Sequence, residues 1–184
     1  MKLIVPALFA LLAAPAVHAV EYRTVLPQQS VIHFEYRQMG VSLKGGFKRF
    51  ATQMAFDPAR PEAGRAQIEI DLASIDAGSP EADEESAGKL WFNRSVYPKA
   101  TFVSSQVRAL GNNRYEMRGT LTLKGRSREM VVPVTFSPGN KAAVFEGAFV
   151  LRRLDFGIGE GMWADVATVA NDVQVKFRIA ATGN

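Results

Sequence analysis

Apolar residues return at every second position in one segment of this chain after another, as in Ile32, Phe34 and Tyr36, in Phe50, Met54 and Phe56, and in Ala66, Ile68, Ile70 and Leu72. A period of two places such residues on one face of an extended strand while the alternate positions meet water. The pattern resumes at Tyr115, Met117, Leu121 and Leu123, at Met130, Val132, Val134 and Phe136, at Phe145, Phe149 and Leu151, and at Val173, Val175, Phe177 and Ile179. Charged residues such as Glu69, Arg118, Lys176 and Arg178 fill the opposite phase. With a less regular stretch over 102–107, the periodicity predicts eight strands. Turn residues separate them: Gly45 and Gly46, the loop 57–64, Gly111-Asn112-Asn113, Gly125, and the segment 137–140. Links this short imply antiparallel neighbours.

One interruption has helical chemistry. Ser79 stands as N-cap, Pro80 takes the first helical position, and Glu81, Asp83, Glu84 and Glu85 lie near the positive end of the dipole. Ala87, Leu90 and Trp91 then share a face, and the helix is expected to end near Asn93. The expected fold is all-β: an eight-stranded antiparallel barrel or stacked pair of sheets, with one short helix. If closed, a barrel of this size either fills with its own side chains or holds one small ligand. Phe and Met are abundant at the inward positions and suit either outcome.

The amino-terminal segment belongs to a different class. Lys2 precedes an apolar run over 3–17 that leads to Val17, His18 and Ala19, the pattern of a secretory signal peptide cleaved after Ala19. The run is shorter than the roughly 20 apolar residues of a spanning helix and is broken by Pro6 and Pro15. The chain thus divides into a leader, 1–19, and one domain, 20–184, expected in the periplasm. The domain must do without disulfides, because the 184 residues contain no cysteine; thiolate metal sites and cysteine nucleophiles go with them. A formal charge of +4, spread over many strands, suits a solvated surface better than a nucleic-acid groove.

Catalytic constellations are sparse. His33 is the lone histidine beyond the leader and falls on the polar phase of its strand, where it is expected to be merely solvated. The glycines of FGIGEG, Gly157, Gly159 and Gly161, lack the strand-before, helix-after setting of a phosphate loop and are expected to form a loop at a barrel end. Asp155, Glu160, Asp165 and Asp172 are close in sequence and suit a solvated loop; action on a lipid head group is the third-ranked alternative. Lys124, Arg126 and Arg128 surround a hairpin tip and are expected to be solvated. Arg152 and Arg153, which end a strand and open the glycine-rich loop, are placed to clamp an anion bidentately. Trp91 and Trp163 lie outside the strands, suited to sealing or gating an opening.

Several stretches in order, SVIHFEYRQMG, GGFKRF, FNRSVYPKATFVSS, GTLTLKGRSREMVVPVTF, RRLDFGIGEG and NDVQVKFRIAA, resemble the YceI-like family of exported bacterial lipid-binding proteins. The resemblance spans almost all of 20–184. It implies a lipocalin-like barrel holding a long isoprenoid-type lipid, polyprenyl or quinone, non-covalently, with no catalytic residue, no metal and no other cofactor. Some members are joined to cytochrome b-type membrane proteins, so an accessory subunit of such a complex is the alternative. The oligomeric expectation is a monomer or homodimer. The lumen is then assigned to Ile32, Phe34, Phe50, Met54, Ile68, Ile70, Phe102, Tyr115, Met117, Phe145, Phe149 and Phe177, and the mouth to Trp91, Arg152, Arg153, Phe156 and Trp163. A forty-carbon chain leaving water would gain about 30 kcal/mol at about 0.8 per methylene, beyond the ceiling of about 18 to 21 for any complex. The relevant exchange is therefore from membrane to barrel, nearly balanced for the tail, and the head group must set specificity.

Overall fold

The computed structural model describes residues 20–183, so the expected leader lies outside the described residues. The domain is one antiparallel sheet of eleven strands with a single short α-helix among the described residues. The strands are β1 (Tyr22–Val25), β2 (Val31–Gln38), β3 (Val41–Phe47), β4 (Phe50–Ala55), β5 (Arg65–Asp71), β6 (Ile75–Asp76), β7 (Lys99–Gly111), β8 (Arg114–Leu123), β9 (Arg126–Ser137), β10 (Ala143–Arg152) and β11 (Asp172–Gly183). Ten of them run in the order β4-β5-β7-β8-β9-β10-β11-β2-β3-β6, curled into a lipocalin-like half-barrel, and β1 pairs with β11 off this path. The curl is tied at one end. Tyr22 N–H donates to the Phe56 carbonyl at 2.8 Å and Phe56 N–H returns a bond to Tyr22 at 3.1 Å, bringing β1 against the outer strand β4.

Eleven strands replace the eight expected, and the three additions have separate reasons. Strands β1 and β6 have four and two residues, too few to show a period. Strand β3 was hidden by Gly45 and Gly46, which are not a turn but pair inside the ladder with Phe34 and His33. Gly45 is there because a Cβ would stand 2.4 Å from Phe34 Cζ. The same device recurs at Gly119, where a Cβ would lie 2.5 Å from Phe102 Cζ, and at Gly147, where it would lie 2.5 Å from Phe177 Cζ. Each glycine lets a phenylalanine ring lie along the wall, over the neighbouring strand, rather than across the lumen.

The β2–β3 and β8–β9 hairpins turn on Met39-Gly40 and Lys124-Gly125, with φ of 49° and 80°, then 49° and 72°. Asn112-Asn113 does the same for β7–β8. Two successive positive φ values match the right-handed twist of the flanking strands.

The helix α1 (Pro80–Ala87) starts as expected, with Ser79 Oγ accepting from Ala82 N–H at 3.2 Å. It ends earlier than expected: Gly88 N–H closes on the Glu85 carbonyl at 3.0 Å, and Asn93 has a φ of 49°. Leu90 and Trp91 therefore belong to the turn after α1. One end of the curl is plugged by Tyr22, Phe56, Tyr115, Phe136 and Phe145, whose rings meet edge-on or tilted at 5.1 to 6.4 Å. At the other end a second cluster of Leu72, Ala100, Leu121, Leu123, Phe156 and Ile158 leaves space above it.

Candidate functional site

That space is an apolar cavity of about 190 Å³ between the sheet and a cap made of α1, the turn after it and the loop following β10. For scale, an engineered dry cavity of about 150 Å³ already admits benzene. Its walls come from alternate residues of β2 (Ile32, Phe34, Tyr36, Gln38), β5 (Ile70), β8 (Leu121, Leu123), β10 (Phe149, Leu151) and β11 (Val173, Val175). Its roof is Ala82, Glu85 and Ser86 from α1, with Trp91, Phe92, Ile158, Trp163 and Val169.

The roof is held by two polar devices. Glu85 Oε1 accepts from both indoles, Trp91 Nε1 at 3.1 Å and Trp163 Nε1 at 2.9 Å, and the two rings pack at 5.5 Å. Arg153 closes the other side. It is 1% exposed, and its guanidinium meets five carbonyls: Ala170 at 3.0 Å, Ile158 at 2.8 Å, Gly159 at 2.9 Å, Trp163 at 2.7 Å and Val169 at 2.6 Å. A guanidinium carries five N–H donors, so none is left for an anion. Burial pushes its pKa down from the ordinary value. Trp91 lies 5.8 Å from its Cζ, beneath a cation–π contact. The expected anion clamp is thus replaced by a loop organiser, and Arg152 does not complete it, being exposed and in register with Asp172 on the wall.

Of the twelve expected lumen residues, Ile32, Phe34, Ile70 and Phe149 line this cavity. Met54, Tyr115, Met117 and Phe145 border a void of about 20 Å³ at the plugged end. Ile68, Phe102 and Phe177 pack on the aromatic plug, and Phe50 borders a separate, open cleft with Lys44, Lys48 and Arg49. Of the mouth residues, Trp91, Arg153 and Trp163 meet at the roof, whereas Phe156 is 2% exposed in the cluster beneath it. Among the lining residues not assigned to lumen or mouth are Gln38, Glu85 and Val169. For Gln38 the signal was present, because it continues the phase of Ile32, Phe34 and Tyr36; Glu85 and Val169 lie on elements whose docking no periodicity encodes.

The expected solvated residues also have work. Lys124 Nζ donates to the Gly157 carbonyl at 2.6 Å and to Glu160 at 3.0 Å, and Arg126 reaches Glu160 at 2.8 Å, so the β8–β9 hairpin pins the glycine-rich loop. The Lys124 hydrogen bond, then the Lys124 and Arg126 charges, hold the Glu160 carboxyl below its ordinary value. Asp165 is spent on its own turn, accepting from Ala167 N–H at 2.9 Å. Among the described residues no three His, Asp or Glu side chains are grouped to hold a metal ion.

Comparison with known proteins bears on this geometry. The YceI-like domain family matches residues 24–181. A UPF0312 protein of Azotobacter vinelandii is 32% identical over 138 residues, 71% of this chain and 72% of that protein. The crystal structure of Burkholderia cenocepacia BcnA superposes with a TM-score of 0.84 at 40% identity, over 86% of this chain and 99% of that one. A polyisoprenoid binding domain from Saccharophagus degradans, implicated in plant cell wall breakdown, shares the fold with a TM-score of 0.66 at 15% identity, over 90% of this chain and 99% of that one.

Proposed function

The chain belongs to the YceI-like domain family, and from that premise we propose that it binds the tail of an isoprenoid-type lipid, polyprenyl or quinone, in the capped half of its curled sheet. The carrying observation is the cavity of about 190 Å³, walled by alternate strand residues and roofed by two tryptophans; on the scale of benzene in about 150 Å³ it takes about eight carbons as it stands, so a longer tail requires the roof to open. The described polyisoprenoid-binding role of the Saccharophagus degradans domain supports the ligand class. The function is binding rather than catalysis, and the tail gains nothing covalent. A chain already buried in a bilayer changes one apolar setting for another, which permits both loading and release.

The same proposal includes export. The apolar run over 3–17 and the small residues up to Ala19 support removal of the leader and a periplasmic site of action. The alternative, docking on a cytochrome b-type membrane protein, is favoured by one observation. Met39 and Met162 are each 77% exposed on segments next to the roof, where their removal from water by a partner would be favourable.

The test is to purify the exported chain without detergent, extract it into organic solvent and weigh what emerges. A prenyl lipid in stoichiometric amount supports the reading. An empty extract, together with no uptake of the neutral fluorophore N-phenyl-1-naphthylamine, refutes it.

A further inference from the structure

Few polar groups border the apolar cavity, and nearly all are engaged. Arg153 has given every donor to carbonyls. Tyr36 Oη donates to the Ala77 carbonyl at 3.1 Å, Ser86 Oγ donates to the Asp83 carbonyl at 2.7 Å, and Glu85 Oε1 receives both indoles. That leaves Gln38. It is the fourth inward residue of β2, and its backbone bridges Val169, which sets it directly against the roof loop. Its half-buried amide takes part in no side-chain hydrogen bond among the described residues. An amide offering two donors and a carbonyl acceptor is costly in an apolar wall once water is displaced, unless the arriving molecule satisfies it.

Charge narrows the ligand further. The lining has two charged residues, Arg153 and Glu85, and the first has no donor to spare. Around Glu85, α1 adds Glu81, Asp83 and Glu84. An anion brought to this roof finds, beyond the Gln38 amide, no free side-chain N–H donor on the lining to replace its water, and the mostly exposed carboxylates of α1 beside it add a weak, solvent-screened repulsion.

We propose that Gln38 reads the ligand's polar end and that this end is uncharged, a hydroxyl or a carbonyl, in preference to a phosphate or carboxylate. The inference rests on the lipid-binding reading above and adds which head group the site selects. It places the determinant on β2, inside the sheet, rather than on the arginines that end β10.

Three probes of equal chain length test it: geranylgeraniol, geranylgeranyl phosphate and the headless hydrocarbon phytane, each displacing N-phenyl-1-naphthylamine from the purified chain. The alcohol should bind about tenfold more tightly than the phosphate. Gln38→Leu should weaken the alcohol about fivefold, the scale of one net hydrogen bond, and leave phytane bound as tightly or more so, since no amide is then stranded against it, which also shows that the variant is folded. Glu85→Gln should narrow the gap between alcohol and phosphate. The inference is overturned if the phosphate binds as well as the alcohol, if Gln38→Leu weakens alcohol and phytane alike or neither, or if Glu85→Gln leaves the gap unchanged. In each of those cases phytane and alcohol still enter, and the lipid-binding reading stands; if no probe and no fluorophore binds, that reading falls and takes this one with it.

Discussion

Replacing Arg153 by Met should unfasten the roof of the cavity. Methionine keeps most of the aliphatic length but removes all five donors, leaving the carbonyls of Ile158, Gly159, Trp163, Val169 and Ala170 without their shared partner. A net hydrogen bond from a charged donor is worth about 1.5 to 3 kcal/mol. Five at full value would rival the whole stability of a domain, about 5 to 15 kcal/mol. The loop can instead turn its carbonyls to water, so the expected loss is about 4 kcal/mol. For a domain of this size that lowers Tm by about 8 to 16 °C. Urea unfolding followed by circular dichroism gives the magnitude, and hydrogen exchange locates it. The Ile158 amide, bonded to the Arg153 carbonyl at 3.0 Å, and the Gly159 amide, bonded to the Leu90 carbonyl at 2.8 Å, should lose protection first. Gly159→Ala should act on the same structure, since a Cβ there would stand 2.3 Å from Arg153 Nη1 at a φ of +76°. Two substitutions that break one network are not additive, so the double variant should cost clearly less than the sum. A loss under about 1 kcal/mol in Arg153→Met, with both amides still protected, would show that the loop holds itself and refute the reasoning.

Other expectations follow from single groups. Glu85→Ala frees both indoles, so tryptophan emission should shift to the red and the off-rate of bound N-phenyl-1-naphthylamine should rise while stability falls by about 1 kcal/mol or less; an unchanged off-rate would show that the indoles are not a latch. Thr52 Oγ1 is buried without a hydrogen-bond partner among the described residues, so Thr52→Val should be neutral or stabilising by about 1 kcal/mol in urea titrations. Destabilisation there would mean that the hydroxyl has a partner after all. Because Glu160 is held below its ordinary value of 4.5 by Lys124 and Arg126, its contribution is complete above that value and disappears as pH falls through the lowered folded value. The Gly157 and Gly159 amides should lose protection, relative to their intrinsic exchange rates, over that acid window in the parent chain. In Glu160→Gln they should be fast already at neutral pH, and an identical pH profile in the two would argue against the pin.

Much of the wall could be read in the order of residues. Alternation is a local property of an extended backbone, and it named Ile32, Phe34, Ile70 and Phe149 as inward with no knowledge of the pairing. Ser79 and Pro80 fixed the start of α1 for the same reason, since a cap acts within one turn. The strand count failed where a local signal has two meanings. Gly45 and Gly46 look like a turn until Phe34, on the neighbouring strand, is seen to occupy the space of the missing Cβ.

The division between filled and hollow was a tertiary decision. Tyr115 and Phe149 both satisfy the inward pattern, yet one lies in the aromatic plug closed by the Tyr22–Phe56 bridge and the other lines the cavity. Sequence position determined the face each residue shows; the curl of the sheet determined how far across the lumen it meets another residue. The same holds at the roof. Arg153 in isolation is a cation suited to an anion, and only the return of 158–170 around it, five carbonyls converging on one guanidinium, makes it a strut. Pairing across the chain costs loop-closure entropy and is stabilised by contacts with no local signature, which is why the sequence alone determined eight of the strands and their faces while the folded curl decided where the cavity lies and which polar group faces into it.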